Sequence, residues 1–116
     1  MPTPNHGLRL ALAGAFVAAS VSAFAGEEVG QVTNLSVRAS DGLVYFWLGG
    51  GSATGRPACA TNPYWVIKSE TSSAGKQQLA MLLTAKATGK RVRVSGSDTC
   101  LRWSDGEDVN AVFLID

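Results

Sequence analysis

The stretch TSSAGKQQLAMLLTAKATGKRVRV, residues 71–94, decides the fold. Thr71, Ser72 and Ser73 offer hydroxyl N-caps, because a side-chain oxygen ahead of a helix can bind a backbone N–H that the first turn leaves free. Gly89 stands where a helix ends in a left-handed residue. Between them Leu79, Leu82, Leu83 and Ala87 recur at spacings of three and four, which predicts one apolar stripe. Val92 and Val94 then alternate with Arg91, Arg93 and Ser95, the period-two pattern of a half-buried strand.

Upstream, residues 29–39 (VGQVTNLSVRA) read as a first strand, with Gly30 a place for a bulge or bend. Asp41-Gly42 marks a hairpin turn. Residues 43–48 (LVYFWL) follow with no polar position, as in a strand covered on both faces. Gly49-Gly50-Gly51-Ser52 opens a long loop to Asn62-Pro63; it lacks the Gly-Lys-Ser/Thr and the helix start of a phosphate loop. Residues 64–68 (YWVIK) form the third strand. Downstream, Gly96-Ser97-Asp98 and Ser104-Asp105-Gly106-Glu107 are turns, and residues 109–115 (VNAVFLI) close the chain as a strand. Three strands, one helix and two strands give a mainly β fold: a five-stranded OB-fold barrel with one α-helix between strands 3 and 4. Other α+β arrangements share this order.

Residues 1–9 are polar and carry Arg9; residues 10–21 (LALAGAFVAASV) are uncharged, apolar and small; Ala23-Phe24-Ala25 is a small-x-small cleavage site. This is the layout of a signal peptide over 1–25, leaving an OB-fold domain over 26–116. A membrane span needs about 20 apolar residues, and this run is too short, so no span is expected after cleavage. The chain is expected to be exported, periplasmic or secreted, in a bacterium.

Cleavage removes the single histidine, His6, and Arg9, leaving nine Lys and Arg against nine Asp and Glu. A neutral chain lacks the cationic surplus that nucleic-acid binding needs, and Lys90, Arg91 and Arg93 read as the wet face of a strand. Cys59 and Cys100, the only cysteines, are expected to form a disulfide in an oxidising compartment. Such a staple, worth on the order of 4 kcal/mol in the chain-entropy model, suits a small core. No metal site or cofactor is expected from two cysteines without histidine.

The same inventory speaks against an enzyme. No imidazole remains for a nucleophile–base pair, and bridged cysteines supply no thiolate. Asp105, Glu107 and Asp108 cluster around Gly106, as turn residues do; hydrolysis would need one of them across a cleft from a second carboxylate. Sugar binding has better material, an aromatic face beside amides and carboxylates. Tyr64, Trp65 and Trp103 are candidates for the face, and Asn62, Asp105 and Glu107 for the polar edge. Trp47, inside an apolar strand, is assigned to packing. On the helix, Gln77, Met81, Thr84, Ala85 and Thr88 make a face without charge, suited to contact with another copy.

The residues Val44-Tyr45-Phe46 to Gly49, Ser52-Ala53 to Ala58-Cys59, then Ala74, Leu79, Leu82, Gly89 and Val92-Arg93-Val94, resemble the B subunits of subtilase-type cytotoxins in order and spacing. The resemblance covers residues 30–94. It implies an OB-fold subunit in a ring of five, with helices lining the pore and edge strands pairing between neighbours. It further implies recognition of cell-surface glycans and, in some members, an enzymatic A subunit as partner. Members that bind sialic acid carry a serine just ahead of the first strand's glycine and a tyrosine just after the fourth strand; here those positions hold Val29 and Gly96. The alternative is a periplasmic OB-fold protein with a structural or protein-binding envelope role and no toxin partner.

Overall fold

The computed structural model describes residues 25–116; the signal segment read over 1–25 lies, but for Ala25, outside them. Five strands and one helix follow in order: β1 (Glu27–Val37), β2 (Val44–Gly49), β3 (Trp65–Ile67), α1 (Ser73–Thr88), β4 (Arg91–Gly96) and β5 (Glu107–Leu114). The fold is mainly β, with the single helix between strands 3 and 4. Hydrogen bonding runs β1-β2-β3-β5-β4 and closes from β4 back to β1. All pairs are antiparallel except β3 with β5.

The circuit closes because β1 serves two partners in succession. Glu27 to Gln31 pair with β4, and Gln31 to Val37 pair with β2. The register shift that lets β1 curve falls between Val32 and Asn34, three residues beyond the glycine expected to carry it. Gly30 instead permits a close approach: a Cβ there would meet the Gly49 carbonyl oxygen at 2.4 Å. Asp41-Gly42 ends a longer turn, in which the Arg38 and Leu43 backbones bond (2.8 Å) and Gly42 adopts φ 78°.

Ser72 caps α1, its Oγ accepting from Gly75 N at 3.0 Å, and Gly89 terminates it at φ 67°. The apolar stripe is rotated from the expected one. Gly75, Leu82 and Ala85 are buried, with Leu79 and Met81 packed partly against the core, whereas Ala87 is exposed and Leu83 is 54% exposed. Gly75 sets this phase: a Cβ there would lie 1.9 Å from the Ser69 carbonyl oxygen, so only glycine lets the first turn sit this close to the preceding loop. Leu82 and Ala85 join Val32, Phe46, Trp65, Ile67, Val92, Val94, Val109 and Val112 in one core. Among the described residues no helix is long and apolar enough to cross a membrane.

Cys59 and Cys100 are bridged, tying the β2–β3 loop to the β4–β5 loop across 41 residues of sequence. Replacing both by serine is expected to cost about 2–4 kcal/mol, measured by urea unfolding, with an unchanged far-UV spectrum at low temperature.

Candidate functional site

Period two along β2 sends Val44 and Phe46 inward and Tyr45 and Trp47 outward. Tyr64, just ahead of β3, completes a triangle with them, with ring centroids 5.4–5.6 Å apart and edges meeting faces. The outer wall of β2 and β3 is therefore aromatic. The apolar run 43–48 is covered on one side by the core and on the other by this cluster.

Two loops flank the wall. From the β4–β5 loop comes Trp103, 37% exposed, and from the β1–β2 loop comes Arg38, its guanidinium 4.2 Å from the Trp103 ring centre. Arg38, Leu43, Tyr45, Tyr64 and Trp103 line a cavity of about 220 Å³. At its edge the Asp105 carboxylate accepts the Tyr64 hydroxyl and, at 2.8 Å, the Asn62 amide. Arg56 holds the strand-entry backbone by donating to the Asn62 and Tyr64 carbonyls at 3.0 and 2.9 Å.

Of the residues assigned to sugar binding from sequence, Asn62, Tyr64, Trp103 and Asp105 thus come together. Trp65 and Glu107 do not. Both are fully buried inside the sheet circuit, where Trp65 Nε1 donates to Glu28 at 2.8 Å and Glu107 accepts from Gly26 N at 2.9 Å and Asp98 N at 3.1 Å. Asp108 is buried as well, accepting from Thr99, Leu101 and Arg102 at 2.7–3.1 Å. The acidic turn is therefore divided among three separate environments.

Sequence reasoning missed Arg38 and Tyr45, while Trp47, assigned to packing, packs on Tyr45 and Tyr64. The alternation inside LVYFWL carries the signal for Tyr45, since one phase of an apolar strand must face outward.

A second, wider cleft of about 740 Å³ runs along the start of β1 and the 49–52 loop. Val29 lines it without a hydroxyl. Gly96, where the resembling sialic-acid binders carry tyrosine, is buried, and a Cβ there would lie 1.8 Å from the Glu107 carboxylate. The Glu107 side chain occupies the space that a larger residue at 96 would need.

An ionic clasp fixes the loops around the aromatic cleft. Arg102 makes a bidentate pair with Glu70 (2.8 and 3.0 Å) and donates to the Asp41 carbonyl at 2.9 Å. Asp41 in turn takes both Arg38 donors. The Arg38 hydrogen bonds, helped by the Leu43 N–H, hold the Asp41 carboxyl well below the usual range, and Arg102 lowers Glu70 in the same way.

Carboxylates depressed on folding stabilise the native state above their unfolded pKa, about 4, and lose that contribution as pH falls through the folded values. The melting temperature is expected to stay level from about pH 7 to 5 and to fall below about pH 4. Arg102→Ala should flatten that acid limb, read by calorimetry across the pH range.

Comparison with family models, with curated proteins and with solved structures returns no match for this chain.

Proposed function

We propose that this chain is an exported, non-catalytic OB-fold subunit that assembles as a homopentamer and recognises a glycan in the cleft between the β1–β2 and β4–β5 loops. The observation that carries the reading is the convergence of Arg38, Tyr45, Tyr64 and Trp103 on one cavity, with Asp105 at its rim. In OB-folds the face of strands 2 and 3, flanked by those two loops, is where oligosaccharides and oligonucleotides bind. The neutral chain disfavours the polyanion. Aromatic rings receive the C–H faces of a sugar, while carboxylate and amide groups meet its hydroxyls.

Assembly draws support from two surfaces. The outer side of α1 carries exposed Ala80, Leu83, Thr84 and Ala87, with Lys76 one turn before Ala80, whereas Ala85 and Met81 of the charge-free face read from sequence turn toward the core. β2 pairs with β3 only at Tyr45 and Phe46, so Trp47 to Gly49 have no β3 partner on that side. The first suits contact between helices around a central axis, and the second suits strand pairing with a neighbour. An enzymatic A subunit is a candidate partner of such a ring. The second reading, a protein-binding envelope role, draws on Val37 and Leu101, 61% and 75% exposed, beside Arg38 and Arg102.

Light scattering on the processed protein is expected to give five times the denatured mass, and Leu83→Glu is expected to yield folded monomers, since an exposed position tolerates the change in the subunit itself. A monomeric parent protein would overturn the assembly. On a glycan array the parent protein is expected to bind, with Trp103→Ala and Tyr45→Ala each weakening affinity about tenfold or more; that is about 1.4 kcal/mol. A silent array with retained binding to an exported protein would favour the second reading.

A further inference from the structure

Glu107 takes no part in the aromatic cleft. It is fully buried, and the cation that faces it is the partly buried Arg56, whose side chain is 12% exposed. Arg56 stacks on Trp65 at 4.2 Å and stands 3.6 Å from Glu107 Oε1. Its Nε and Glu107 Oε1 are both buried without a hydrogen bond. Asp98 offers Glu107 only its backbone N–H. Glu107 therefore faces one guanidinium without a hydrogen bond to it, and a buried charge so loosely paired is strongly unfavourable.

The donor nearest to Glu107 is Gly26 N, 2.9 Å from Oε2. The expected cleavage site is the peptide bond that this nitrogen makes with Ala25. A peptidase hydrolysing that bond adds water across it: the hydroxyl goes to the Ala25 carbonyl carbon, which leaves as a carboxylate with the signal segment. The nitrogen gains protons and becomes an α-ammonium at neutral pH.

We propose that the α-ammonium of processed Gly26 is the missing second cation, bound in a site built by Glu107. One neutral N–H donor becomes a charged group with three donors, enough to serve Oε2 and the orphaned Oε1 together. The surroundings hold the terminus in place. Gly26 O accepts from Gly96 N at 2.8 Å, and Glu27 and Thr54 exchange two backbone bonds of 2.9 Å. Glycine is required at 26, because a Cβ would lie 2.2 Å from Oε1. Processing thus completes the charge balance of the interior, and the unprocessed chain keeps Glu107 underpaired.

This inference rests on the export reading and is independent of glycan binding. The full chain is expressed in a bacterium, and the protein recovered from the periplasm is expected to begin at Gly26 by intact mass. Three chains are then melted at pH 6: Gly26 with a free amine, the same chain acetylated at its α-amine, and a chain retaining Ala25. The free amine is expected to melt about 5 °C or more above both others. Glu107→Gln should abolish that gap; if it does not fold, the acetylated comparison alone decides. A mature terminus at another residue, or equal melting of free and acetylated chains, overturns the ammonium site and leaves export standing. An uncleaved chain overturns both.

Discussion

The structure depends on one strand having two masters. β1 gives its first half to β4 and its second half to β2, with Gln31 bonded in both ladders. A straight strand cannot do this, so the register shift around Thr33 and the contact of Gly30 with Gly49 are what allow the sheet to meet itself. Once it does, the inward phase of every strand faces one small core, which Leu82 and Ala85 of the helix complete. The outward phase of β2 carries the aromatic wall.

That division explains the contrast between two neighbouring aromatic residues. Tyr64 and Trp65 are adjacent in sequence and lie on opposite sides of the wall. Tyr64 meets Tyr45 and Trp47 outside, and Trp65 lies inside with Glu28 and Arg56. The same separation divides Asp105 from Glu107. A sequence reading that grouped all four by composition merged a surface cleft with a buried charge cluster.

The helix shows what sequence can and cannot fix. Its caps were legible, because Ser72 and Gly89 answer a local demand for a donor's partner and a left-handed end. Its phase was not. Leucine, methionine and alanine lie around much of the cylinder, and its two charges, Lys76 and Lys86, are too few to mark the exterior. The close approach of Gly75 to Ser69, a tertiary contact, chooses which line is buried. The disulfide was legible from two cysteines in a chain read as exported. The inward glutamates were not, because their partners Gly26, Arg56 and Trp65 come from distant segments.

The pairing of Glu27 with Ser95 also dictates a timetable. The first half of β1 must wait for the second-last strand to arrive, and β3 must wait for β5. Only the second half of β1 finds its partner nearby, in β2. Such long-range closure slows folding, so the sheet completes itself only once its last strand has been made.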